Sequence, residues 1–373
     1  QTIGYYVELL SKIHAKAKQN GHITFDDYMD MCLYYPNLGY YNNKNISLDP
    51  KNSDFITGPE ISSLYTESIL KFYKDCKIYK KINYVLEFGA GSGEMAYNFL
   101  LNAGNDYLPK KYYILEKSNY LKEQQKNKIS MLSKKYSSRV EWVNEISHLK
   151  DIFLIANEVL DAIPTKRFLK KENKFYEKVI KLEDNKLCFS NLDCNNLLEK
   201  KIKNIEKRLK YKIPNDYNFE INMLYENFFS GIFNNINNFV FIIIDYGYHE
   251  KEFYHPERSL GTLQYYKNHK KLKEPLNDQG NFDISASVDF SRVKRIINLF
   301  DLEILAYTTQ EQFLLNTNIL ENSEGIINPF EKKNILQSLL FPSDMGENFK
   351  MMILCDHMNK DFNMGFKDYR HKL

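Results

Sequence analysis

Val85-Leu86-Glu87-Phe88-Gly89-Ala90-Gly91-Ser92-Gly93 decides the fold. It reads as a short buried strand running into a glycine-rich turn, and then into the helical run Glu94-Met95-Ala96-Tyr97-Asn98-Phe99-Leu100-Leu101. Glycines at 89, 91 and 93 remove the side chains that would keep a ligand from the backbone. Such a turn also aims free N–H groups at whatever binds there. The expectation is a nucleotide-like ligand, and with it an enzyme.

The spacing narrows the ligand. A dinucleotide fingerprint needs G-x-G-x-x-G, whose third glycine lets helix and strand pack closely. Counted from Gly89, that third position is Glu94. An acid in the first turn of a helix opposes a pyrophosphate at that terminus. The positively charged amino acid part of S-adenosylmethionine would be tolerated there. No G-x-x-x-x-G-K-[ST] occurs, which argues against a P-loop.

Further out, Tyr112-Tyr113-Ile114-Leu115-Glu116 reads as a second strand ending in an acid. In nucleoside-binding α/β folds an acid at that place accepts hydrogen bonds from ribose hydroxyls. Buried-strand candidates recur at 84–88, 112–116, 140–143, 152–156 and 239–245, with helical stretches between them. Strands alternating with helices predict an α/β fold with a doubly wound, parallel sheet. Ligands of such sheets sit at the carboxyl ends of the strands. A further strand is expected at 349–354 and a helix at 291–300. The chain divides into a mainly helical segment 1–83, a core of 84–164 and 236–373, and an insertion 165–235. Within the insertion, Leu198, Ile202, Ile205 and Leu209 form one apolar stripe of a lysine-rich helix, whose lysines read as a solvated face.

The fourth strand leads into Asn157-Glu158-Val159-Leu160-Asp161-Ala162-Ile163-Pro164. Glu158 and Asp161 are three apart, so a helical turn would put both on one face. Two carboxylates on one face suit a guanidinium, whose planar fork pairs with carboxylates bidentately. Asn157, at the strand's end, resembles the Asn or Asp that many methyltransferases place there to hold the nitrogen that is methylated. The fifth strand ends in Asp245-Tyr246-Gly247, which makes Asp245 a candidate for contacting substrate or positioning Tyr246.

Composition sets the outer bounds. The chain of 373 residues is long enough for one large domain or two. Lys+Arg 51 against Asp+Glu 48 leaves a net charge of +3, which points away from nucleic acid as a partner. Five scattered cysteines without a C-x-x-C signal neither a zinc ribbon nor a disulfide framework. No metal site is expected. No apolar run approaches the ~20 residues of a membrane span. The chain begins at Gln1, so a targeting segment would not be visible.

Taken together, these motifs resemble the MidA-like family, the mitochondrial complex I assembly protein-arginine methyltransferases and their bacterial relatives. The resemblance is carried by Asp54 to Ser62, Leu86 to Gly93, Leu115-Glu116 with Ser118 and Gln125, Ala156 to Pro164, Phe219-Glu220, Asp245-Tyr246-Gly247, Gly261-Thr262-Leu263 with His269, and Asp283 to Phe290. It implies a class I S-adenosylmethionine-dependent fold that turns the cofactor into S-adenosylhomocysteine. It also implies symmetric dimethylation of an arginine in a complex I iron–sulfur subunit, in the mitochondrial matrix. The implied cofactor residues are Thr57, Pro59 and Glu60 as a lid, Glu87, Gly89, Ala90, Gly91, Gly93, Glu116, Asn144 and Asn157. Asn157, Glu158 and Asp161 would face the methyl group, with Glu220 and Asp245 as further carboxylates. Two other readings stay open: a non-catalytic assembly factor that binds the cofactor, and a methyltransferase for a small molecule. The oligomeric state stays open too.

Overall fold

The computed structural model describes residues 2–43, 56–267, 270–273, 276–342, 345–358 and 367–373. Asp54, Phe55 and His269, named above, lie outside them. Contacts group the chain into two units.

One unit, of residues 56–160, 227–247 and 290–373, is built on the large sheet. Its strands are β1 (Tyr84–Phe88), β2 (Lys111–Leu115), β3 (Val140–Val143), β4 (Leu149–Asn157), β5 (Ile236–Tyr248), β6 (Glu303–Thr309) and β7 (Phe349–Cys355). They lie in the order β6-β7-β5-β4-β1-β2-β3. From β5 to β3 neighbouring strands are parallel. β7 runs antiparallel to both β5 and β6, so the sheet is mixed rather than wholly parallel. Ile152 to Ala156 and Val240 to Ile244 are fully buried, as expected of parallel strands covered on both faces. One cover is the helix Ser63–Tyr79, whose Phe72 and Tyr73 pack on Phe153 with ring centroids 6.0 and 5.4 Å apart. The chain steps outward from β1 to β2 and β3, then returns to β4 on the other side of β1. That reversal places the carboxyl ends of β1 and β4 side by side, with Phe88 opposite Ala156. Crevices at such reversals are where ligands bind in open α/β sheets.

The other unit draws on residues 1–55, 161–226 and 248–289. Contacts therefore divide the chain differently from the expected boundaries at 83, 164 and 235. The reason is strand pairing: Ile23–Thr24 pairs antiparallel with Lys174–Glu183, tying the N-terminal helices to the insertion. Lys166–Lys171 and Lys186–Asp193 flank that same central strand, and Tyr217–Ile221 adds to Lys166–Lys171. The helix Asn196–Leu209 buries Leu198, Ile202, Ile205 and Leu209 against Phe168, Tyr217 and Phe219. Lys200, Lys203 and Lys207 stay exposed on its other face. Arg208 fastens the same helix to Glu250 by bidentate hydrogen bonds of 2.7–3.1 Å.

Candidate active site

The turn after β1 is a left-handed track. Gly89, Gly91 and Gly93 have φ of 57°, 53° and 81°, which L side chains adopt at a cost. Gly93 is also hemmed in, since a Cβ there would stand 3.3 Å from the Cα of Gln125. At Gly91 a Cβ would meet no atom within 4 Å, so the space beside the turn is open. Ala90 beside it is buried. Gly93 ends the turn as the N-cap of the helix Glu94–Asn102.

Glu116 follows β2 directly and is buried. Its Oε1 accepts from the Ser118 N–H at 2.9 Å and its Oε2 from Gln125 Nε2 at 3.0 Å. Burial pushes its carboxyl above the ordinary range, and these hydrogen bonds pull it back in part. The same Gln125 amide donates to the Gly91 carbonyl at 3.0 Å, while its oxygen accepts from Trp142 Nε1 at 3.0 Å. One glutamine thus fixes the glycine turn against the acid that follows the second strand. Its role was not drawn from the sequence, where a buried Gln on a polar helix carries no periodic signal.

Glu87, inside β1, accepts from the Tyr112 hydroxyl at 2.7 Å. Burial raises its carboxyl to about 7, with Tyr112 working against the rise and Glu116 adding to it. Glu94 is held by Lys128 in an ion pair and by Asn98 Nδ2 at 2.9 Å. The expected repulsion of a pyrophosphate by Glu94 is therefore largely offset by Lys128, and the glycine spacing carries the distinction from dinucleotide folds. Asn144 is exposed beyond β3, and its Oδ1 accepts from Lys122 at 2.9 Å.

Thr57, Pro59 and Glu60 form a compact N-terminus. The Glu60 carboxylate accepts from the Thr57 N–H at 3.0 Å and the Thr57 hydroxyl at 3.1 Å, a capping box on the helix Gly58–Ile61 with proline in its first turn. This short helix packs against the helices Ser63–Tyr79 and Glu94–Asn102, the latter beginning at the glycine turn.

At the end of β4, Asn157 accepts from the Tyr65 hydroxyl at 2.6 Å, and its Nδ2 lies 3.4 Å from Glu158 Oε1. Glu158 does not begin a helical turn. Its φ is 54°, and its N–H donates to the Ile244 carbonyl at 2.8 Å. The loop through residue 163 holds no helix, so the shared helix face expected for Glu158 and Asp161 does not form. Asp245 holds the loop that forms instead. This fully buried carboxylate accepts from the N–H groups of Val159 at 3.2 Å, Leu160 at 2.8 Å and Tyr246 at 2.8 Å. A left-handed Glu158 cannot belong to a right-handed helical turn, and Asp245 fixes the amides that follow it. Asp245 thus acts on the loop backbone and on Tyr246. A glutamate held at positive φ stores strain of roughly 1–3 kcal/mol, of the kind that clusters at functional sites. Val159 faces the glycine turn, with its Cγ2 3.7 Å from where a Gly89 Cβ would stand.

Asp161 and Glu220 belong to the other unit. The Asp161 carbonyl accepts from the Ala286 N–H at 3.0 Å. Glu220, almost wholly buried, accepts from the Thr262 N–H at 2.7 Å and its hydroxyl at 2.9 Å. Gly261, at φ 80°, leaves the room that this carboxylate occupies. Glu220 thereby anchors the 261–262 turn.

The residues around the glycine turn fit S-adenosylmethionine: an open left-handed cradle, an oriented buried acid after β2, and polar groups at the end of β4. A family profile described as S-adenosyl-L-methionine-dependent methyltransferase matches residues 66–308. The chain is 25% identical over 375 residues to the Caenorhabditis elegans protein named protein arginine methyltransferase NDUFAF7 homolog, mitochondrial, covering 91% of this chain and 84% of that one. It is 23% identical over 385 residues to the Homo sapiens protein arginine methyltransferase NDUFAF7, mitochondrial, covering 94% and 83%. Among solved structures it is similar to a Burkholderia thailandensis protein bound to S-adenosyl-homocysteine, with a TM-score of 0.92 and 25% identity over 100% of this chain and 98% of that one. Among the described residues, no helix is long and apolar enough to cross a membrane.

Proposed function

The chain belongs to this family of S-adenosyl-L-methionine-dependent methyltransferases, and from that premise we propose that it methylates an arginine side chain of a protein. Its substrate would be an iron–sulfur subunit of complex I, symmetrically dimethylated in the mitochondrial matrix. The observation that carries this reading is the pair at the end of β4. Glu158 is strained at positive φ and stands beside Asn157, at the strand end that adjoins the glycine turn. The names of the relatives support arginine as the acceptor and the mitochondrion as the compartment.

When bound, the cofactor supplies a methyl group on a sulfonium centre. Gly89, Gly91, Gly93 and Glu116 are the residues that would hold it, with Thr57, Pro59 and Glu60 covering it. The remaining work falls to the loop. A guanidinium keeps its proton below pH ~12 and spreads its lone pairs over three nitrogens. A carboxylate on one side of it draws positive charge towards that side and frees electron density at the nitrogen turned away. Glu158 has the charge for this and can accept the released proton. Asn157 holds the Glu158 carboxylate by its amide. Asp245, by pinning Val159 and Leu160, keeps the loop from refolding when a cation enters.

The test is transfer of label from S-adenosylmethionine to the complex I iron–sulfur subunit of the source organism. Arginine in the subunit becomes labelled, and Glu158→Gln lowers kcat by roughly 10²-fold or more while S-adenosylhomocysteine still binds. Protein that binds the cofactor product yet labels no arginine would overturn the reading.

A further inference from the structure

Tyr65 lies in the first turn of the helix Ser63–Tyr79 and is 1% exposed. Its hydroxyl makes the 2.6 Å hydrogen bond to Asn157 Oδ1. The far side of the Asn157 amide faces Glu158 Oε1, a carboxylate oxygen that accepts from it. That fixes the sense of the chain: the amide turns its NH2 to Glu158 and its oxygen to the phenol, which donates. Burial and the nearby charges of Glu158 and Asp245 hold the Tyr65 phenol far above its ordinary value, so it remains a donor throughout the working pH range.

The ring of Tyr65 is itself held. Gly58 rests its backbone on it, so that a Cβ at Gly58 would lie 2.5 Å from Tyr65 Cε2 and 2.7 Å from Cδ2. Gly58 opens the short helix capped by Thr57 and Glu60, and that helix packs against the one beginning at the glycine turn. A run of contacts therefore leads from the capped segment through the Tyr65 ring and hydroxyl to Asn157 and Glu158.

We propose that Tyr65 is a positioning residue for methyl transfer: its hydroxyl orients the Asn157 amide and, through it, the Glu158 carboxylate, while Gly58 couples the 57–61 segment to that pair. The kinetic part rests on the function proposed above. Tyr65 acts through Asn157 and Glu158, so its loss should appear in kcat and not in cofactor affinity.

The experiment is a double-mutant cycle of Tyr65→Phe and Asn157→Ala, read in kcat with the subunit that the wild type labels, together with S-adenosylhomocysteine affinity by calorimetry. Y65F lowers kcat roughly tenfold and leaves the Kd for S-adenosylhomocysteine unchanged. Added to N157A, it costs nothing further, because its effect passes through Asn157. Gly58→Ala keeps the hydroxyl and displaces the ring, so its loss in kcat is likewise absorbed in the N157A background, which covers the case in which Y65F fails to fold. Independently of any substrate, ¹⁵N-asparagine spectra show the Asn157 side-chain NH2 shifted in Y65F and in G58A. Losses that multiply in the double mutant would overturn the inference. So would S-adenosylhomocysteine affinity falling in step with kcat, or an unshifted Asn157 signal. A wild type that labels no arginine would instead strike the function proposed above, leaving the asparagine spectra to decide the role of Tyr65.

Discussion

Asp245→Asn tests whether one buried carboxylate holds the loop after β4. The wild-type side chain receives three backbone N–H groups, two on Oδ2 from Val159 and Leu160 and one on Oδ1 from Tyr246. An asparagine has one oxygen to offer. Its least costly placement keeps that oxygen on Val159 and Leu160 and turns the NH2 against the Tyr246 N–H, donor against donor. One charge-assisted hydrogen bond worth about 1.5–3 kcal/mol is lost, and the two that remain weaken. Relief from burying a charge returns part of this. A net loss of about 2 kcal/mol is expected. The only tryptophan, Trp142, sits on β3 of the same unit, so its fluorescence during urea unfolding reports the relevant transition. Hydrogen exchange gives the local readout: the Val159 and Leu160 amides should keep protection, and the Tyr246 amide should lose most of it. A midpoint shift equivalent to less than about 0.5 kcal/mol, with exchange at Tyr246 unchanged, would refute this account of the loop.

Three further outcomes follow from the same unit. Glu87 carries a folded-state value of about 7, raised from 4.5. Between those values the folded chain binds the proton that the unfolded chain has lost, so this group's contribution to stability falls as pH rises through the window. Glu87→Gln should therefore be more stable than wild type at about pH 8, by an amount on the order of 3 kcal/mol at most, with the advantage gone near pH 4 to 5; thermal midpoints across that range check it, and parallel curves for the two proteins would refute it. Gly91→Ala should cost about 1–2 kcal/mol from its left-handed φ alone and should lower S-adenosylhomocysteine affinity at least ~10-fold by filling the cradle; calorimetry at wild-type affinity would contradict the cofactor assignment. Glu116→Gln must turn an NH2 towards either the Ser118 N–H or the Gln125 amide, so S-adenosylhomocysteine affinity should fall roughly tenfold, and an unchanged Kd would remove Glu116 from the site.

The large sheet was legible because its strands are what parallel strands must be, continuous apolar runs such as Phe153 to Ala156, and because three glycines in alternation admit few conformations. The insertion was harder to read. Lys166–Lys171 contains two apolar residues, and it buries Arg167 and Lys170 as well as Phe168, so no period of two is visible in hydropathy. A signal was nevertheless present at its turns: Glu172-Asn173 and Asp184-Asn185 both take positive φ and close two-residue hairpins, where Asn and Asp are favoured. At the site, residue types were legible and their geometry was not. The spacing of Glu158 and Asp161 suggested a helix face, but Glu158 takes a left-handed φ and the loop after it is held by Asp245, 85 positions along the chain from Leu160. Tyr65 gave no signal at all, because a tyrosine on the buried side of an amphipathic helix looks like core until its hydroxyl is seen to have a partner.

The pairing of Ile23 with Ile180 bears on how the chain comes to be folded at all. A ribosome must add the whole stretch between them before the N-terminal strand can find its neighbour, and the unit is complete only once residue 289 has emerged. Synthesis runs at roughly 5–20 residues per second, so the wait lasts many seconds. During that time the helices Thr2–Asn20 and Phe25–Tyr34 lack Ile180, Tyr265, Phe282 and Ile284, which complete the cluster around Leu9, Ile13, Phe25, Tyr28 and Met29. Closing such distant contacts is slow in its own right, because the entropy of the intervening chain is lost before the pairing rewards it. A truncation ending before residue 180 therefore leaves that cluster without Ile180, Tyr265, Phe282 and Ile284.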